Sequence, residues 1–202
     1  MPNWCSNTLT VEGEPEEIKR FSDHAKGYGW QPSNEGNDGF LSLLDWNKFV
    51  PMPQEVIDNG YNGEGKLKGV LKGYDWETKN WGTKWGACDI TLWEHEGTLE
   101  YSYETAWSPG DEWFIAMGEM FPKLEFSLDF FEYGQGYKGN KVMRDGKLID
   151  DIAEDITIEE FHDMGCHEDD PNSECPYCDP ELFLTTEDIV RKEIDQEWAV
   201  SS

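Results

Sequence analysis

ACDITLWEHEGTLEYSYETAWSPGDEWFIAMGEMFPKLEFSLDFFE, residues 87–132, holds three strand patterns and one helix pattern in an order that restricts the fold. From Ala87 to Glu94, Cys88, Ile90 and Leu92 fall on one side, and Glu96-Gly97 turns the chain into a second run from Leu99 to Trp107. There Leu99, Tyr101, Tyr103, Thr105 and Trp107 alternate with smaller or polar residues, the period-two signature of a half-buried strand. Ser108-Pro109-Gly110-Asp111 reads as a helix start, with Ser108 as the N-cap and Pro109 in the first position. Trp113, Phe114, Met117, Met120 and Phe121 then mark one broad helical face, closed by Pro122. A third strand, Leu124 to Glu132, turns Leu124, Phe126, Leu128 and Phe130 inward.

Upstream, Trp4 to Glu12 is a further strand, with Cys5, Leu9 and Val11 on one face and Ser6, Thr8 and Thr10 on the other. Gly13-Glu14-Pro15 opens a helix whose apolar face is Ile18, Phe21 and Ala25, ending near Gly27. Residues 28–86 are rich in Gly, Asn and Trp, too long for a bare loop, so short helices packing their aromatics on the core are expected there. Downstream, Asp145-Gly146 between Val142-Met143-Arg144 and Lys147-Leu148-Ile149 predicts a hairpin, because both turn residues tolerate positive φ. The order β-α-insertion-β-β-α-β plus a hairpin predicts an α+β, ferredoxin-like (split βαβ) antiparallel sheet with helices on one face over residues 1–150.

The chain carries 43 Asp and Glu against 16 Lys and Arg, a net charge of −27. That sign disfavours direct contact with a phosphate backbone or an anionic membrane and favours a partner with a basic surface, although solubility or salt adaptation would give the same composition. Aromatic residues at 14%, with ten Trp, separate it from disordered acidic polymers and supply a core. The N-terminal residues lack a signal-peptide pattern, and no run of apolar residues is long enough to cross a membrane, so a cytoplasmic location is expected.

The composition shifts after residue 150. Residues 151–202 hold 17 acids and 2 bases, leaving 26 and 14 for the rest, and form a predicted small helical appendage. Thr157 to Glu160 has the spacing of a capping box, and Thr185 to Trp198 reads as a terminal helix. Within the appendage, Cys175-Pro176-Tyr177-Cys178 offers two thiolates on one tight turn, matching one edge of a zinc tetrahedron. Cys166 supplies a third ligand and His162 a fourth, with His167 as the alternative, so a structural Zn2+ is expected to staple the acidic tail. Unligated thiols are the plain alternative. The tetrapeptide also resembles the glutaredoxin active site, but the acids around it oppose a reactive thiolate.

Five segments, in order, resemble the YubB-type ferredoxin-like domain of phage and plasmid proteins. They are Met1-Pro2-Asn3-Trp4-Cys5-Ser6-Asn7, Phe49-Val50-Pro51-Met52-Pro53, Asn80-Trp81-Gly82-Thr83-Lys84-Trp85, Thr105-Ala106-Trp107-Ser108-Pro109, and Glu132-Tyr133-Gly134 to Gly139. The resemblance implies a mobile-element origin and a ferredoxin-like core, and it supplies no catalytic residue. Together with the charge, it leads to the expectation of a non-enzymatic accessory protein that binds a host or defence protein, in an anti-defence role or by mimicking nucleic acid.

The same segments pair apolar rings with hydrogen-bonding side chains, which also describes a small-ligand pocket for a nucleotide or metabolite. Its candidate residues are Trp4, Asn7, Asn80, Trp81, Thr83, Lys84, Trp85 and Trp107. The competing reading is that the Asn side chains cap turns and the indoles close the open end of the sheet.

Overall fold

In the computed structural model, β1 (Trp4–Glu12) is flanked by β5 (Thr98–Ala106) on one side and β6 (Glu125–Glu132) on the other, both antiparallel. The structure describes residues 3–28, 41–62, 65–157 and 160. The chain divides into two units, Met1–Glu154 and Asp155–Ser202.

In the first unit, β4 (Cys88–His95), β7 (Tyr137–Arg144) and β8 (Lys147–Asp155) complete a six-stranded sheet in the order β4-β5-β1-β6-β7-β8. The four strands β4-β5-β1-β6, with α1 (Pro15–Ala25) after β1 and α4 (Asp111–Met120) after β5, are the split βαβ arrangement expected from the sequence. The β7–β8 hairpin extends it. Asp145 and Gly146 have φ of 53° and 68°, as a two-residue type I′ turn requires.

Register explains the core. Residues facing each other across β5, β1 and β6 form rows on one sheet face: Leu99–Val11–Phe126, then Tyr101–Leu9–Leu128, then Tyr103–Asn7–Phe130, then Thr105–Cys5–Glu132. All twelve side chains are buried. Phe21 of α1 packs on this face, with ring centroids 6.2 Å from Tyr101, 5.5 Å from Phe126 and 5.1 Å from Phe121 at the end of α4. Each such buried aromatic removes roughly 150–250 Å² from water, which is how few aliphatic residues suffice. The rows turn polar toward the Trp4 end of β1, and that gradient positions the site.

The insertion holds a short pairing of β2 (Gly27–Tyr28) with β3 (Leu41–Ser42), a 3₁₀ turn at Trp46–Lys48, α2 (Gln54–Asn59) and α3 (Gly73–Asn80). It packs Trp46, Phe49, Trp76 and Trp81 on the core as expected, whereas Tyr28 is exposed. Trp46 lies flat on Trp113 of α4, with centroids 4.3 Å apart and planes within 6°, and Trp81 meets Trp46 edge-on at 5.8 Å.

Four local expectations are corrected. A bulge between Cys88 and Thr91, with Asp89 at φ 51°, puts Cys88 opposite Glu104 while Leu92 stands opposite Tyr101, so the two do not share a face. Trp107 leaves the strand, which ends at Ala106, by adopting φ 68°. Ser108 does not cap α4: its hydroxyl donates to Gly82 O at 2.7 Å, and left-handed Gly110 takes the N-cap position instead. Met120 is 39% exposed rather than on the buried face of α4.

In the second unit, the capping box is formed. The Thr157 N–H donates to Glu160 Oε2 at 3.0 Å, and the Glu160 N–H donates to Thr157 Oγ1 at 3.3 Å. The expected helix from Thr185 to Trp198 and the expected zinc ligands Cys166, Cys175, Cys178, His162 and His167 lie outside the described residues.

Candidate functional site

The polar end of the sheet is built by two loops, one following α3 and one following β5. Gly82 at φ 83° lets the first loop run against α4, where a Cβ would lie 2.9 Å from the Asp111 nitrogen. Thr83 Oγ1 donates to Ala106 O, and Ser108 Oγ to Gly82 O, so side chains tie the loops together. The Trp107 N–H donates to Asn3 O at 3.0 Å, and the Tyr137 hydroxyl donates to Trp107 O at 2.6 Å.

These ties hold Lys84 between two indoles. Its ammonium lies 3.6 Å from the Trp85 ring centroid and 4.3 Å from that of Trp107. Trp4, 41% exposed, meets Trp85 at 6.2 Å. Trp85 and Trp107 have φ of 71° and 68°. Bulky residues rarely occupy that region, and departures of this kind cluster at functional sites. Partial burial moves the Lys84 ammonium below its ordinary range, against the attraction of Glu77.

Glu77 lies beneath this loop on the buried side of α3. Its Oε2 accepts from the Tyr61 hydroxyl at 2.7 Å and from the Trp85 N–H at 2.9 Å, whereas Oε1 is buried without a partner. Burial pushes this carboxyl up to about 7, opposed by those two hydrogen bonds and by Lys84. A second buried acid, Glu132, accepts from the Gln135 N–H through Oε2, and its Oε1 is buried without a partner. Nearby, burial pushes the Cys5 thiol up to about 12, so it stays protonated at neutral pH and is no nucleophile.

The eight candidate residues therefore divide. Trp4, Lys84, Trp85 and Trp107 come together at the surface. Trp81 is buried, with its indole N–H on Val50 O at 3.0 Å, and Asn80 Nδ2 bonds Trp76 O one turn back. Asn7 is buried in the sheet, with Nδ2 on Thr105 Oγ1 at 2.9 Å and Cys5 O at 2.7 Å, and Thr83 braces the loops. Sequence reasoning missed Glu77, Tyr61 and Glu132. The available signal was the spacing of Gly73, Glu77 and Trp81, which puts Glu77 on the α3 side that carries buried neighbours.

Among the described residues, no group of three or more His, Cys, Asp or Glu could hold a metal ion, and no helix is long and apolar enough to cross a membrane.

Comparison with known proteins supports the fold. Residues 80–170 match the family described as a ferredoxin-like domain in Api92-like protein. The structure resembles the crystal structure of a protein api92 from Yersinia pseudotuberculosis, with a TM-score of 0.62 and 11% identity over 77% of this chain and 98% of that one. At that identity the likeness speaks to fold alone. No curated protein matches the chain in sequence. Neither match names the YubB-type family that the five segments resemble; both support the ferredoxin-like core.

Proposed function

We propose that the chain is a non-enzymatic accessory protein of a phage or plasmid, whose acidic surface binds a host or defence protein with a basic surface. The observation that carries this reading is the net charge of −27 together with the way the cations are used. Lys19, Arg20, Lys123, Lys138, Lys141 and Arg144 each already face a carboxylate, so the field left over is strongly acidic. Such a field accelerates encounter with a basic partner and repels nucleic acid and anionic lipid. A partner that uses its basic face to hold nucleic acid would be blocked by the same contact.

Affinity capture from a bacterial lysate, at low and at moderate salt beside a charge-matched control protein, tests this function. Retention of a specific polypeptide that the control does not hold, and its release by competing DNA, would support both the binding and the mimicry. Retention no greater than the control at both salt concentrations overturns them.

One observation favours a second reading, binding of a small ligand: Lys84 lies between the indoles of two Trp residues held at positive φ. Stacking on Trp4 or Trp85 with an anionic group on Lys84 would suit a nucleotide. That reading requires quenching of Trp fluorescence by members of a nucleotide and metabolite panel, lost in Trp85→Ala; a flat response to the panel overturns it.

A further inference from the structure

The two edges of the six-stranded sheet differ. At one edge, β4 is broken by the bulge between Cys88 and Thr91 and by the left-handed Asp89, features that keep an edge from adding strands. At the other edge, β8 runs nine residues with no Pro or Gly, and every residue is exposed. Strands of about 5–6 residues are usual, so this is a long stretch of edge. Leu148, Ile149 and Ile152 are 37%, 53% and 50% exposed along it. Among the described residues no strand pairs with its outer side.

We propose that residues 147–154 accept an extended, basic segment of a partner protein as a seventh strand. The inference rests on the acidic-surface reading above and says where on that surface the partner sits. Backbone groups on the outer side of an edge strand supply the pairing, and alternate side chains select the partner. The apolar positions suit a segment rich in Val or Ile. The charge suits Lys or Arg: Asp151 and Glu154 are held by Lys141 and Lys138 of β7, whereas Asp150 faces no cation among the described residues and accepts only the Asp151 N–H. A second copy of the chain is the other obvious occupant. Pairing β8 with itself would bring the acids at 150, 151 and 154 of one copy against those of another, and each copy carries −27.

The test uses the full chain and two peptides of equal length and charge. One alternates valine with lysine; in the other, proline replaces every second valine, which removes pairing and keeps charge. Affinity and amide hydrogen exchange at residues 147–154 are measured for each. The expected result is that the first peptide slows exchange there, that the proline peptide binds roughly tenfold more weakly or worse, and that Ile149→Lys with Ile152→Lys costs a similar factor. Equal binding of the two peptides, or binding without slowed exchange at residues 147–154, overturns the edge inference and leaves the acidic-surface reading standing. Failure of both to bind even at low salt overturns both. If exchange at the edge slows with protein concentration alone and sedimentation finds dimers, the occupant is a second copy and the inference falls.

Discussion

The Tyr61 hydroxyl donates to Glu77 Oε2 at 2.7 Å, so a residue just beyond α2 helps to hold a carboxyl buried in α3. Burial keeps that carboxyl protonated up to about 7, against an ordinary value of 4.5. The unfolded chain ionises it earlier. Its contribution to stability is therefore complete below pH 4.5 and is lost as pH rises through about 7. A shift of this size corresponds to about 3 kcal/mol over that window. Glu77→Gln keeps an acceptor for Tyr61 and Trp85 and cannot ionise. Denaturant titrations at about pH 5 and about pH 8 should show wild type losing stability with rising pH and the variant losing much less. An unchanged slope in the variant would assign the titration to another group.

Gly110 makes a different demand. Its φ is 86°, and a Cβ there would lie 2.3 Å from the Trp46 ring. Gly110→Ala combines a left-handed backbone with displacement of the Trp46–Trp113 stack, so a loss of at least ~2 kcal/mol is expected. For a chain of this size that lowers Tm by about 4–8 °C. Near-UV circular dichroism should change with it, since the two stacked indoles contribute to that signal. A variant with wild-type Tm and spectrum would mean that the stack does not constrain the turn.

The strands and helices of the sandwich were legible because each repeats a period, whereas the short elements of the insertion repeat none and were not placed. Cys5, Leu9 and Val11, or Phe126, Leu128 and Phe130, need no tertiary information to be assigned to one face. The errors occur where one backbone torsion overrides the pattern. Positive φ at Asp89 separates Cys88 from Leu92, and positive φ at Trp107 ends β5 one residue early; Trp rarely adopts that region, and Asp, which tolerates it, sits here inside a strand pattern rather than in a turn pattern. Ser108 fits the cap pattern by residue type alone, but its hydroxyl is turned to Gly82 O and the N-cap falls at Gly110. The site was half legible. Trp and Lys in short loops stand out from the sequence, while Glu77 is one acid among 43 and only its buried neighbours distinguish it.

The Cys and His residues of the C-terminal segment carry an expectation from spacing alone. Cys166, Cys175, Cys178 and His162 predict about one zinc ion per chain. Elemental analysis of protein purified without chelator reads this directly, and Cys175→Ser should release the metal. Less than about half an equivalent in the wild type would reject the site.

Lys84 and Trp85 offer the closest test of the candidate site. If the 3.6 Å approach of the ammonium to the ring is an energetic contact, Lys84→Met and Trp85→Leu should not be additive. A double-mutant cycle should give a coupling of about 0.5–2 kcal/mol, the range for cation–π pairs from exposed to desolvated. The coupling should persist in high salt, because a partly buried contact is screened less than an exposed ion pair. Lys84 also lowers the Glu77 carboxyl through its charge, against the larger effect of burial. Removing the ammonium should therefore move the loss of stability associated with Glu77 to higher pH, whereas Trp85→Leu, which leaves both the ammonium and the backbone N–H donor, should move it less. If Lys84→Met leaves the pH midpoint in place and the cycle gives no coupling, the lysine lies among the indoles without interacting with them, and the small-ligand reading loses its main support.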